Sequence, residues 1–137
     1  MDYSQIFAIS ASGMNLERAR VEASSVNLAN ANTALNADGS GFQPLRVVAQ
    51  SAFANSVDQG LAEVRYQVVP TVASPRMVYD PGHPSANASG FVAYSGVDTA
   101  TEMVNLMSAT RAYEANVAAM NTARTLAQRT LEIGGNS

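Results

Sequence analysis

Three rhythms of apolar and polar positions divide the chain. Over residues 3–31 the period is helical. Phe7, Met14, Val21 and Leu28 recur every seven residues, a spacing that leaves them nearly eclipsed on a helix. Ile6, Ile9, Leu16, Ala19, Ala23 and Val26 form a second stripe. At about 100° per residue, Phe7 and Ile9 point about 200° apart, so the two stripes face nearly opposite ways. A helix in a small monomer needs one apolar stripe. Two opposed stripes predict a helix held between neighbours.

Residues 97–133 carry a second, longer helical pattern. Met103, Leu106, Thr110, Tyr113, Val117, Met120, Arg124, Ala127 and Leu131 alternate by three and four, the spacing of a coiled-coil seam, with Thr110 and Arg124 as weak positions. Val104, Met107, Ala115, Ala118 and Leu126 flank it. Asp98 or Thr99 is placed to cap the start, Glu102 lies near the positive end of the dipole, and Gly134-Gly135 stops the helix. Such a helix would be about 50 Å long at 1.5 Å per residue, far longer than a compact core of this size requires.

The middle alternates differently. All the prolines fall between positions 44 and 84, where they interrupt neither helix. Residues 46–49, 63–69, 76–79 and 91–94 are short β-branched and aromatic runs, separated by turn-forming residues at 38–41, 58–60 and 80–84. The expected architecture is α+β: an N-terminal helical segment (1–32), a loop and small β-rich middle domain (33–96), and a C-terminal helical segment (97–137).

Composition sharpens this reading. Only 14% of the 137 residues are charged and 47% are hydrophobic, against roughly 25% charged in an average soluble domain. Ser, Thr, Asn and Ala fill the difference, and such surfaces lose little on being desolvated against a neighbour. The net charge is −3 with no lysine and eight thinly spread arginines, so no basic patch offers a nucleic-acid footprint. Absent cysteine excludes disulfides, thiolate catalysis and cysteine-ligated zinc. The opening residues 1–7 lack the positive region and apolar run of a cleaved signal peptide, and no stretch reaches the ~18 apolar residues of a membrane span.

Catalytic and cofactor constellations are missing. His83 is the sole histidine and sits between Gly82 and Pro84 in a turn, without the companion ligands of a metal site. A serine nucleophile would need that same histidine, and no nucleophile-elbow motif accompanies it. Glu102, Glu114 and Glu132 read as helix-surface charges, and no glycine-rich phosphate loop is present. No cofactor is implied, and an enzyme is not expected. What remains is Asn27-Leu28-Ala29-Asn30-Ala31-Asn32-Thr33 at the first helix end and Arg111-Ala112-Tyr113-Glu114-Ala115-Asn116-Val117 in the second helix. The asparagines suit helix capping. Asn27 and Asn30 also share a face from which they could bond a neighbouring helix.

These two segments resemble the opening and closing signatures of the bacterial flagellar axial proteins of the rod and hook. Residues 78–84 and Leu131-Glu132-Ile133-Gly134 are similar to short members forming the proximal rod. The loop at 34–41 departs from the family's usual short turn. The resemblance implies that the terminal helices pair as a coiled-coil-like inner layer, with the middle domain outside. It also implies export through the flagellum's own type III apparatus without cleavage, into the periplasm-spanning rod of the basal body. Expected partners are other copies of the chain, other proximal rod proteins and the ring or export-gate junction, with neither nucleic acid nor direct membrane insertion. Expected interface residues are Ile6, Ile9, Leu16, Val26, Asn27, Leu28 and Asn30 on the first helix. On the second they are Leu106, Arg111, Tyr113, Glu114, Val117, Met120 and Leu131. An export chaperone and a periplasmic peptidoglycan hydrolase are the alternatives.

Overall fold

The computed structural model describes residues 3–50 and 64–135. The expected turn at 58–60, and Glu63 at the start of one expected strand, lie outside the described residues. Helix α1 spans Tyr3–Ala29 and helix α2 spans Thr99–Gly135. Between them come β1 (Leu45–Gln50), β2 (Arg65–Pro70), β3 (Arg76–Tyr79) and β4 (Phe91–Tyr94). Two long helices around small antiparallel sheets make the chain α+β.

The sheets form from the β-branched runs. β1 pairs antiparallel with β2, from Leu45 opposite Pro70 to Gln50 opposite Arg65. β3 pairs antiparallel with β4, from Arg76 opposite Tyr94 to Tyr79 opposite Phe91. The stretch after α1 runs along the other edge of β4: the Leu35 N–H donates to the Ala93 carbonyl (2.7 Å), and the Ser95 N–H to that of Thr33 (3.2 Å). Between β3 and β4, the Asn87 side-chain oxygen accepts the N–H groups of Ser89 and Phe91, both at 3.0 Å. Gly90 closes that loop at φ 82°, and a Cβ there would sit 2.8 Å from the Tyr79 ring.

Asp98 starts α2. Its carbonyl accepts the Glu102 N–H (3.0 Å), and its carboxylate accepts the Thr101 hydroxyl and the Ala100 N–H. These bonds, the Thr101 hydroxyl first, hold the carboxyl below its ordinary value of 3.8. Just before it, Gly96 packs so tightly that a Cβ would collide with the Ser74 carbonyl oxygen and approach the Ala73 Cβ to 2.9 Å.

The helices lie side by side in opposite directions. Gly13 of α1 abuts Asn116 of α2, while Glu17, Arg20 and Ser24 share a cleft with Thr101, Glu102, Asn105 and Ala109. Apart from Glu17 and Asn27, the buried positions of both helices are small. On α1 they include Ser10, Ala19, Ala23 and Ser24, and on α2 Ala109 and Ala123, continued by half-buried Ala112, Asn116, Met120 and Ala127. Leu106 and Val117 flank this stripe half-buried, whereas Met103, Thr110, Tyr113, Arg124 and Leu131 of the expected seam are exposed. The period is as expected but the phase differs, because small side chains let the backbones approach and the bulky ones move to the flanks. On α1 likewise, Phe7, Met14, Val21 and Leu28 are half-buried, and Ile9 and Val26 are exposed.

With Gly13 opposite Asn116, Tyr3 falls near residue 126 of α2, and the last turns extend roughly 13 Å beyond α1 at 1.5 Å per residue. Leu131 and Ile133 on this overhang are 76% and 77% exposed.

A Cβ at Gly13 would lie 2.9 Å from the Asn116 amide nitrogen. Gly13→Ala should therefore fail to deliver the ~1 kcal/mol that alanine gains over glycine within a helix. Gly13→Ala with Asn116→Ala should deliver it, as read by urea unfolding followed by circular dichroism. Asp98→Ala should lower the melting temperature near neutral pH. Because the folded carboxyl is held below 3.8, the cap's contribution is present above that value and lost as pH falls through the lowered one. The gap between variant and native melting curves should close on acidification.

Candidate assembly surface

The first signature segment turns inward. Asn27 is 1% exposed. Its amide nitrogen donates to the Leu45 carbonyl (2.9 Å), and its side-chain oxygen accepts the Leu45 N–H (2.7 Å). The ladder bond at this end of the sheet runs from the Thr71 N–H to the Pro44 carbonyl (2.7 Å), so the N–H and carbonyl of Leu45 face away from β2. One side-chain amide thus takes the place of a strand along the open edge of β1. Asn30 donates its amide to the Val26 carbonyl (2.9 Å), its backbone carbonyl accepts the Ser95 hydroxyl (2.6 Å), and Asn32 accepts from Arg76 (3.1 Å). Arg76 also lies over the Tyr94 ring, 5.4 Å from its centre. The helix end is therefore tied to both strand pairs. Neither Asn27 nor Asn30 spends its amide on a neighbouring helix. Beside them Ala31, Leu35, Val92 and Ser95 are buried, with Val92 completely so. Ser95 and Gly13 carry no periodic signal in the sequence, and only their contacts reveal them.

The second signature segment turns outward. Arg111, Tyr113 and Glu114 are exposed, while Ala112, Asn116 and Val117 meet the helix pair. Nearby, Met103, Val104 and Met107 leave 57%, 65% and 57% of their surface open on the outer side of α2. The outer face of the β3–β4 pair adds Met77 and a Tyr79–Phe91 edge contact at 5.2 Å. Of the remaining expected interface positions, Ile9, Val26 and Leu131 are exposed, and Ile6, Leu16, Leu28, Leu106 and Met120 are half-buried.

The cleft between α1, β1 and α2 has a volume of about 410 Å³ and is lined by side chains of both charges, Glu17, Arg20, Arg46 and Glu102 among them. Glu17 is engaged with Arg20 at 3.0 Å. Among the described residues no group of His, Cys, Asp and Glu could hold a metal ion, and no helix is long and apolar enough to cross a membrane.

Residues 88–133, which run from the end of the β3–β4 loop through most of α2, match the family described as flagellar basal body rod FlgEFG protein C-terminal. Over 134 residues the chain is 37% identical to the flagellar basal-body rod protein FlgC of Yersinia enterocolitica, covering 98% of this chain and 99% of that one. It is 37% identical to the FlgC of Escherichia coli O157:H7, covering 94% and 96%. It is 33% identical to that of Bacillus subtilis, covering 92% and 94%. The chain belongs to the FlgC family of flagellar basal-body rod proteins. In this FlgC-family chain, then, one signature segment holds the subunit together, and the other is displayed on its surface.

Asn27→Ala should leave both backbone groups of Leu45 without their partner and cost about 2–6 kcal/mol, the sum for two unmade bonds. Hydrogen exchange should show β1 losing protection before α2. An unchanged unfolding midpoint would mean that the amide clamp is incidental.

Proposed function

We infer that this chain is a structural, non-enzymatic subunit of the flagellar basal-body rod, and that its activity is assembly. The observation that carries the reading is kinship with FlgC rod proteins along nearly the whole of both chains. Three physical features support it. The surface is poor in charge, bulky apolar side chains remain open on α2, and α2 outreaches its partner helix. Each Leu, Val or Met covered on assembly contributes roughly 1.5–3 kcal/mol, so a few per contact offset the loss of freedom on docking.

In this reading the terminal helices, 1–32 and 97–137, form the coiled-coil-like inner layer of the shaft, and residues 33–96 lie outside it. The partners are further copies, the other proximal rod proteins and the ring or export-gate junction beneath them. Export through the flagellar type III apparatus, without cleavage, delivers the chain to the periplasm-spanning rod. Head-to-tail contacts extend the array, which then carries torque.

The direct test is mass spectrometry of hook–basal bodies purified from the source bacterium. The chain should be recovered at a fixed ratio to the other rod subunits; recovery only from the soluble fraction would remove the reading. Val117→Pro places proline in the middle of α2, where it costs about 3 kcal/mol or more. Rod assembly and motility should be lost while the middle strands still fold. Normal swimming by that variant would sink the inner-helix arrangement.

A further inference from the structure

We propose that Asp38–Gly39 is a latent site of spontaneous covalent rearrangement, and that the hydrogen-bonded loop 36–41 keeps it inert in the folded subunit. It is the only Asp-Gly pair in the chain, and no Asn-Gly pair accompanies it. The chemistry is intramolecular. The Gly39 nitrogen attacks Asp38 Cγ, its proton leaves with the carboxyl hydroxyl as water, and a five-membered succinimide closes. Water from the solvent then adds to one of the two ring carbonyls. Breaking the bond between nitrogen and Cγ restores aspartate. Breaking the bond between nitrogen and the main-chain carbonyl leaves isoaspartate, with one extra carbon in the backbone. Glycine favours the first step because it has no side chain to obstruct a close approach.

Both reacting groups are tied up in the fold. The Asn36 N–H donates to the Ser40 carbonyl (2.8 Å) and the Gly39 N–H to the Asn36 carbonyl (2.9 Å). These bonds close a three-residue loop with Gly39 at φ 79°. The nitrogen that must attack therefore has its proton committed across the turn. Asp38 Oδ1 accepts the Ser40 N–H at 2.8 Å. Bonds from the Ser40 hydroxyl, and then from its N–H, hold the Asp38 carboxyl below its ordinary value of 3.8. An ionised carboxylate has no hydroxyl to lose, so the reactive form is scarce. The Asn36 amide fixes Ser40 in turn, donating to its hydroxyl oxygen at 2.9 Å.

Residues 36–41 are all exposed, so burial does not account for hydrogen bonding of this density. The loop is anchored at Leu35, which is 7% exposed and so near Gly41 that a Cβ there would lie 2.8 Å from its Cδ2. Isoaspartate would lengthen the main chain inside the turn and move the carboxylate away from Ser40. The closure that joins the β4 edge to the approach of β1 would then be lost. The guard thus protects a connection between the two strand pairs.

The test compares the full chain, folded and unfolded in guanidinium, incubated at one pH and temperature. Isoaspartate at Asp38 is read by mass spectrometry of the proteolytic peptide that contains it, and by enzymatic methylation of isoaspartyl carboxylates. The folded chain should form it about tenfold more slowly than the unfolded chain, because ring closure must first break the bonds of the turn. Equal rates would overturn the guard. No isoaspartate at Asp38 in the unfolded chain would overturn the site itself. Ser40→Ala and Asn36→Ala should each raise the folded rate severalfold and leave the unfolded rate unchanged. Folded rates that stay at the native value in both variants, with native melting curves, would also overturn the guard.

Discussion

The contact on which most of this subunit's shape depends is the two-point grip of Asn27 on the backbone of Leu45. A strand edge beside a helix normally leaves its N–H and carbonyl groups to water, and burying them unpaired is costly. Here the side-chain amide presents a donor and an acceptor in the order that a neighbouring strand would. That lets β1 lie directly against α1. Once β1 is fixed, β2 follows by register, and the end of α1 is placed where Asn30 and Asn32 reach Ser95 and Arg76. Three asparagines at and just past one helix end thereby organise a middle segment that, among the described residues, has little apolar core of its own.

The same economy governs the helix pair. Its buried residues are mostly Ala and Ser, with Glu17 among them and Asn116 seated against Gly13. Small residues bury modest area each, so the pair gains less from the hydrophobic effect than a leucine seam of equal length would. Bulky side chains are left on the flanks and the outer side. A subunit built in this way is held together by geometry and hydrogen bonds, and keeps its large apolar groups for other surfaces.

Much of the architecture could be read from residue order, and the reasons differ by element. The helices, expected at 3–31 and 97–133 and found at Tyr3–Ala29 and Thr99–Gly135, were legible because long periodic segments free of proline admit little else. The four strands were legible because β-branched runs stand between strong turn formers. The phase of the α2 seam was not, since the eye follows Met, Tyr and Leu, whereas the contact is made by Ala109 and Ala123. Asn27 was singled out for the right chemistry, but its hydrogen-bond partner lies 18 residues away in a strand, a distance that no local pattern encodes. Gly96 was invisible for a similar reason: its value lies in the backbone that passes over it.

The overhang of α2 gives the subunit a direction. At one end the two helices finish together against the strands. At the other, α2 reaches past Tyr3 of α1, with Leu131 and Ile133 exposed. A body with one blunt end and one tapered end cannot be turned over and still present the same profile. Copies stacked the same way up inherit that arrow, and a shaft made from them has a distinguishable top and bottom before any cap or base is added.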